Sequence, residues 1–141
     1  MKALSVHPYY AIGLVTGDKT IEVRTWNTDY RGDILIVSTA KKIKGLIPGH
    51  ALGIVHLDNV RPMTTSKKDL RAAVLQKDDV PLPSFAWELS NARIIKPIPL
   101  KGKLSLWDCD VKYELLDLPS QTDEPEAWDS ALAEIWRPYL I

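Results

Sequence analysis

The chain has 141 residues, of which 45% are hydrophobic and 26% charged, a balance that is ordinary for a soluble globular domain and excludes a disordered polyelectrolyte. The single cysteine, Cys109, cannot form an intramolecular disulfide, and because no apolar run is long enough to span a bilayer we expect a cytoplasmic protein with no membrane partner. The formal net charge is zero, but residues 1–112 hold 17 Lys and Arg against 11 Asp and Glu, whereas residues 113–141 hold one Arg against seven acidic residues. The basic body either faces an anionic partner or merely sums scattered charges, and the sequence leaves both interpretations open.

The N-terminal part of the chain predicts strands separated by one helix. Residues 3–6 are typical of a short strand, and Pro8, which fits the first turn of a helix, predicts a helix that ends at Gly17. Residues 19–26 alternate apolar and polar side chains, as in a strand with one face in water. The apolar, β-branched run at residues 34–37 predicts a strand that is covered on both faces.

The middle of the chain predicts more strands than helices. Strands are expected over three segments, residues 51–60, 85–89 and 93–98. Ser90-Asn91 predicts a turn between the last two, and a capping-box pattern at Ser66 and Asp69 predicts a second helix. Because the helices interrupt the strands without alternating with them, the pattern favours an α+β fold with a barrel-like sheet.

The C-terminal segment predicts an amphipathic helix with Pro125 in its first turn. Its apolar residues recur at helical spacing and are Trp128, Leu132, Ile135 and Trp136. Two tryptophans on one stripe are expected to be buried. The helix should therefore dock on the body of the protein or on a second copy of the chain, which would make it a route to self-association.

One short motif carries the clearest functional signal. Residues 17–24 follow the pattern G-x-K-x-x-E-x-R, with Lys19, Glu22 and Arg24 as its charged members. In an extended segment Glu22 and Arg24 point to one face, where the cations could donate to a phosphate or carbonyl and the carboxylate could orient them. Trp26 would add a flat surface on which a base could stack. The alternative is a cross-strand ion pair on a solvated face, and spacing alone favours this alternative.

Three further residues are candidates for the same site. His7 precedes the first helix and either caps it or contacts a ligand, and Trp87 is either a core residue or a stacking platform. Lys41 belongs to a Lys-Lys-x-Lys cluster that binds phosphate or simply lies in a solvated loop. The three histidines have no metal-ligand spacing, so we expect no metal and no other cofactor.

Several segments, in order, are similar to those of a known family. They are Leu4-Ser5-Val6-His7-Pro8-Tyr9-Tyr10, Gly17-x-Lys19-x-x-Glu22-x-Arg24-x-Trp26, Tyr30-Arg31-Gly32, Ser38-Thr39-Ala40-Lys41, Leu52-Gly53-Ile54-Val55-x-Leu57-x-Asn59-Val60, Pro99-Leu100-Lys101-Gly102 and Leu106-Trp107. Over about residues 3–110 the chain thus resembles the ASCH domain family, whose fold is similar to the PUA domains of RNA-modifying enzymes.

The resemblance implies a small PUA-like β-barrel with helices covering its ends. It also implies a basic cleft lined by Gly17, Lys19, Glu22 and Arg24, with RNA or a nucleotide-like molecule as the ligand. We therefore expect an ASCH domain over residues 1–112 and an acidic extension with a docked helix over residues 113–141.

The resemblance leaves an enzymatic alternative open. One branch of the wider family contains small amidohydrolases that act on N4-acetylcytidine derivatives, with a threonine nucleophile three residues after the motif lysine. This chain has Glu22 at that position, and a carboxylate is a poor replacement for an attacking hydroxyl. A hydrolase acting on RNA or on a modified nucleoside would instead use Glu22 as general base, with Lys19 or Arg24 stabilising the developing charge.

Overall fold

Six strands form one mixed sheet in the computed structural model, which describes residues 1–141. In chain order the strands are β1 (Lys2–Val6), β2 (Ile21–Arg24), β3 (Gly32–Ser38), β4 (His50–Pro62), β5 (Phe85–Pro99) and β6 (Leu106–Asp108). Across the sheet the order is β2-β5-β4-β3-β1-β6, with β1 parallel to β3 and the other neighbours antiparallel. The sheet curls into a half-barrel, which confirms the expected α+β, PUA-like class.

Three helices accompany the sheet. They are α1 (Pro8–Thr16), α2 (Lys67–Ala73) and α3 (Pro125–Trp136), with single 3₁₀ turns at Lys77–Asp79 and Arg137–Tyr139. Helix α1 packs on β3, β4 and β5, whereas α2 packs beside β2. None of the helices is both long enough and apolar enough to cross a membrane.

Strand β3 divides the core into two layers. Its residues Ile34 and Ile36 belong to the larger apolar cluster, together with side chains of α1, whereas Leu35 and Val37 belong to a second cluster on the opposite face. All four are at most 1% exposed. The apolar run therefore forms the doubly covered strand that its composition predicts.

Strand β5 corrects one expectation from the sequence. The segments predicted as two strands with a turn at Ser90-Asn91 form one strand of 15 residues, Phe85–Pro99. The pairing with β4 continues through this point with register shifts, and Asn91 adopts a left-handed φ of 50°. The extra residues are absorbed as bulges because β4 runs on as an unbroken partner.

The N-terminus of α2 forms half of the predicted capping box. The Ser66 hydroxyl accepts a hydrogen bond from the backbone N–H of Asp69 at 3.1 Å. The Asp69 carboxylate does not return to the cap; it accepts two hydrogen bonds from Arg61 and one from Thr64. A charged partner from β4 thus replaces the backbone partner that the motif normally uses.

Helix α3 docks on the body of its own chain. Leu132 and Trp136 are 6% and 7% exposed and belong to the larger core cluster. Beyond the helix, Ile141 exchanges backbone hydrogen bonds with Gly45 and Leu46 of the loop at residues 39–49. Self-association through α3 and a division of the chain at residue 112 stay predictions.

Candidate functional site

The chain positions the G-x-K-x-x-E-x-R motif at the junction of α1 and β2. Gly17 ends α1 with a left-handed φ of 84°, a conformation that glycine adopts without steric penalty. The chain then turns back, so that the Lys19 N–H donates to the carbonyl of Gly13 at 2.9 Å. A Cβ on Gly13 would lie only 3.1 Å from the Lys19 Cβ, so glycine makes this close return possible. Glu22 then pairs with Trp87 across the β2–β5 ladder.

The three charged side chains of the motif, Lys19, Glu22 and Arg24, converge and form what we call the motif cluster. Lys19 and Glu22 are only 3% and 7% exposed. A Glu22 carboxylate oxygen lies 3.0 Å from an Arg24 guanidinium nitrogen, and the other oxygen lies 3.8 Å from the Lys19 Nζ. The interpretation of this stretch as a strand with a solvated face is therefore wrong for Glu22.

Glu22 is buried because its face of β2 is turned to the larger core cluster, to which its ladder partner Trp87 belongs, whereas α2 packs on the opposite face, with Ile21 and Val23. The carbonyl of Ala72 accepts a hydrogen bond from the Thr20 N–H at 2.9 Å, and the carbonyl of Ala73 accepts one from the Lys19 ammonium. These two contacts fasten the C-terminal end of α2 to the beginning of β2. Alternation in the sequence predicts the two faces of the strand but not that the polar face is turned to the core.

Lys19 is a buried cation with unused hydrogen-bond donors. Burial lowers its pKa, the nearby Glu22 carboxylate opposes that change, and Arg24 adds to it. The ammonium also lies 4.8 Å from the centre of the Tyr10 ring, within cation–π range. An ammonium has three donors, and only the one to Ala73 is used.

A cavity of about 230 Å³ opens beside Lys19. Its lining residues come from α1, the turn between α1 and β2, the loop at residues 39–49 and the end of α2, and are Tyr9, Tyr10, Ile12, Gly13, Asp18, Lys19, Leu46 and Val74. We call it the Lys19 cavity. It is below the about 300 to 1,000 Å³ that hold whole small ligands, so it suits one part of a longer molecule.

Arg24 connects the motif cluster to β1. Its guanidinium donates to the Ser5 carbonyl at 2.8 Å, while its buried Nε and the buried Ser5 hydroxyl have no partner. Arg24 and Glu22 are not among the residues that line the Lys19 cavity. Of the motif cluster, Lys19 is thus the member in direct reach of a ligand there.

The two candidate tryptophans lie in different surroundings. Trp87 is fully buried, and the edge of its ring meets Trp26 at 4.8 Å between centroids with an interplanar angle of 83°. A ring in the core offers no face to a base, so Trp87 is a core residue and not a stacking platform. Trp26 is half-buried and keeps part of its surface in solvent.

His7 and Lys41 are not among the residues that line the Lys19 cavity. The His7 Nδ1 accepts a hydrogen bond from the Tyr9 N–H at 3.1 Å and caps α1, which is the structural alternative for this residue. Lys41 is exposed in the loop whose Leu46 lines the Lys19 cavity, and it forms no ion pair. The basic loop therefore borders the site, although Lys41 does not line the cavity.

Sequence reasoning missed the aromatic part of the cavity wall. Tyr10, which the sequence did not single out as a site residue, lines the cavity beside Lys19. Burial is the main cause that raises the pKa of Tyr10, and the phenol therefore stays neutral and able to donate a hydrogen bond. Tyr9 is 56% exposed, and its position next to Tyr10 at the start of a helix was the available signal.

Comparisons with known proteins agree on the fold. The protein is similar to three crystal structures of the ASCH protein from Zymomonas mobilis: the unmodified protein (23% identity, TM-score 0.56), a serine-to-alanine variant (23%, 0.58) and a tyrosine-to-phenylalanine variant (24%, 0.55). The matches cover 70% of this chain and 73 to 75% of the other. No curated protein matches the sequence. The model of the ASCH domain matches residues 4–99, and the chain belongs to the ASCH domain family.

Proposed function

We propose that this protein binds RNA, or a ligand with the phosphate and base groups of a nucleotide, at the Lys19 cavity. ASCH domains generally bind RNA. The observation that carries the proposal is a buried ammonium on a cavity wall with two donors free of protein partners. A phosphate or a base carbonyl in the cavity would accept those donors and restore the solvation that the lysine loses on burial.

Glu22 and Arg24 support this role without contacting the cavity. The motif cluster contains two cations and one carboxylate, so it keeps a net positive charge that favours an anionic guest. The ion pair between Glu22 and Arg24 fixes the carboxylate, which in turn lies 3.8 Å from the lysine. In this proposal Glu22 and Arg24 are positioning residues and Lys19 makes the contact.

The surroundings of the cavity fit a chain of nucleotides. Lys41 and its neighbours Lys42 and Lys44 are exposed and unpaired on one side, where they would contact phosphates. Trp26, which is half-buried against Trp87 and does not line the Lys19 cavity, is a candidate for stacking a base farther along the chain of nucleotides.

Fluorescence anisotropy with a labelled 12-nucleotide single-stranded RNA tests the proposal. Lys19→Met, which keeps the length of the side chain and removes its charge, should weaken binding about tenfold, equivalent to about 1.4 kcal/mol. Lys96→Met is the matched control, since Lys96 is exposed on the far half of β5. No binding by the wild type, or equal affinities for the wild type and Lys19→Met, would remove the proposal.

Hydrolysis of RNA or of a modified nucleoside is a second candidate, favoured by the lowered pKa of Lys19, because perturbed lysines cluster at catalytic sites. Glu22 would have to leave its 3.0 Å pair with Arg24 to act as a general base, and it does not line the cavity. Binding is therefore the better-supported function. Incubation with short RNAs and acetylated cytidine distinguishes the two: a product that disappears in a folded Glu22→Gln variant would establish the hydrolase.

A further inference from the structure

The Lys19 cavity continues into a larger groove along α2. The groove has a volume of about 720 Å³ and shares Tyr9, Tyr10 and Val74 with the Lys19 cavity as common walls. Its other lining residues belong to α2 and the segment after it and are Lys67, Leu70, Arg71, Leu75, Gln76 and Asp79. We call it the α2 groove.

Two cations line one side of the α2 groove. Lys67 and Arg71 are one helical turn apart, which places them on the same face of α2. Both are exposed, and neither forms an ion pair. The acidic residue of the groove, Asp79, turns its carboxylate to the backbone N–H of Gln76 at 3.1 Å. The groove thus offers two free cations to an anion and one carboxylate that is already engaged.

The common wall carries an exposed aromatic ring. Tyr9 is 56% exposed, and the edge-to-face contact with Tyr10, at 5.3 Å and 72°, supports it from one side. The His7 cap holds the backbone of Tyr9 at the start of α1. A tyrosine fixed in this way presents a flat surface on which a base can stack at a small cost in side-chain entropy.

Val74, which lines both cavities, has a strained backbone. Val74 ends α2 with a left-handed φ of 53°, which is a rare conformation for a β-branched residue, and it is 46% exposed. The carbonyl that accepts the Lys19 hydrogen bond belongs to Ala73, the residue before it. The end of α2 is therefore held where its valine borders both cavities.

We propose that the α2 groove is the path of a single-stranded RNA that continues outward from the Lys19 cavity. One base stacks on Tyr9, and successive phosphates contact Arg71 and Lys67. This inference rests on the proposed function, because it extends the same bound strand. Single strands fit the groove better than a duplex does, since only splayed bases expose a face to a tyrosine.

The test compares two groove variants with matched controls, using the labelled 12-nucleotide RNA at several salt concentrations. Lys67→Gln/Arg71→Gln should reduce the slope of log K against log salt by about 1.4, since each phosphate contact to a single strand contributes about 0.7. Lys96→Gln/Lys112→Gln removes the same charge from exposed positions outside the groove and should leave the slope unchanged. Tyr9→Ala should weaken binding about tenfold, and the control Tyr113→Ala, at a residue that is 44% exposed, should not.

The length of the RNA separates the inference from the proposed function. A mononucleotide whose phosphate enters the Lys19 cavity should bind Lys67→Gln/Arg71→Gln as it binds the wild type, because Lys67 and Arg71 do not line that cavity. If the 12-nucleotide RNA binds the wild type and is weakened by Lys19→Met, but binds the groove variants as it binds their controls, the groove inference is overturned and the proposed function stands. If the wild type binds no RNA, both are overturned.

Discussion

Two carboxylates in this protein are buried beside an arginine, and they differ in how completely they are paired. Asp69 of α2 is 4% exposed and accepts hydrogen bonds from both terminal nitrogens of Arg61, at 2.9 and 2.7 Å, and from the Thr64 hydroxyl at 2.6 Å. Glu22 of β2 is 7% exposed and has one close contact, to Arg24 at 3.0 Å.

The difference separates a structural ion pair from a candidate site. Around Asp69 the carboxylate is saturated by a two-pronged guanidinium contact, so a ligand would have nothing to add. In the motif cluster the Arg24 Nε lacks a partner, and the Lys19 ammonium keeps free donors beside a cavity. Incomplete pairing of buried charges costs stability, which suggests that the motif cluster is kept for binding.

The largest expected effect is on stability and comes from the saturated pair. Asp69→Asn leaves Arg61 without its carboxylate and should lower the free energy of unfolding by about 3 kcal/mol, the lower end for a broken buried pair because Arg61 is partly exposed. Urea denaturation at pH 7 measures it, with Asp129→Asn on the exposed face of α3 as the control. A loss no larger than that of the control would show that the Asp69 pair is not structural.

The same pair should make the protein sensitive to acid. Hydrogen bonds from Arg61 are the main cause that lowers the pKa of Asp69 from 3.8 to about 2. Because the folded state holds the ionised form, this stabilisation is fully present above pH 4 and is lost as the pH falls through about 2. The loss should be about 2 kcal/mol. Lowering the pH from 5 to 2.5 should therefore reduce the free energy of unfolding of the wild type more than that of Asp69→Asn. Urea denaturation at the two pH values measures both changes, and an equal change in both proteins would contradict the assignment.

The motif cluster should lose little stability when its cation Lys19 is replaced, in contrast to the Asp69 pair. Burial lowers the pKa of Lys19, which means that the fold disfavours its charge, and Glu22 keeps Arg24 as its close partner, so Lys19→Met should change the free energy of unfolding by less than about 1 kcal/mol. The same variant is expected to lose RNA affinity. Urea denaturation beside the binding assay checks the contrast, and a loss as large as that of Asp69→Asn would make Lys19 a structural residue.

The smallest expected effect on the free energy of unfolding comes from exposed carboxylates. Glu126 and Asp129 lie on the solvent side of α3 and form no ion pair. Glu126→Gln/Asp129→Asn should change the free energy of unfolding by less than about 0.5 kcal/mol. If the acidic tail competes with RNA for the basic body, the same variant should raise RNA affinity up to about twofold; unchanged affinity would exclude that competition.

Local patterns in the sequence predict the fold better than the site. The doubly covered strand at residues 34–37, the end of α1 at Gly17 and the stripe that buries Trp136 each depend on neighbours in sequence. The burial of Glu22 depends on its pairing with Trp87 of β5, which follows it by more than 60 residues, and no local periodicity reports such a contact.

The same limit explains the aromatic residues. Trp87 and Tyr9 are both aromatic, yet one is 0% and the other 56% exposed. The order of strands decides this, because β5 lies between β2 and β4, whereas Tyr9 begins a helix at the surface. The left-handed backbone of Val74 arises where α2 ends beside β2, and the local sequence does not reveal that contact.

The most direct test of the central claim is the pKa of the Lys19 side chain, followed by NMR of its Nζ and Cε signals with and without the 12-nucleotide RNA. Burial gives this lysine a lowered pKa in the free protein, which distinguishes its titration from that of the exposed lysines. A bound phosphate favours the charged form, so RNA should raise the pKa of Lys19 towards the ordinary value. Saturating RNA that binds and leaves this pKa unchanged would contradict the account.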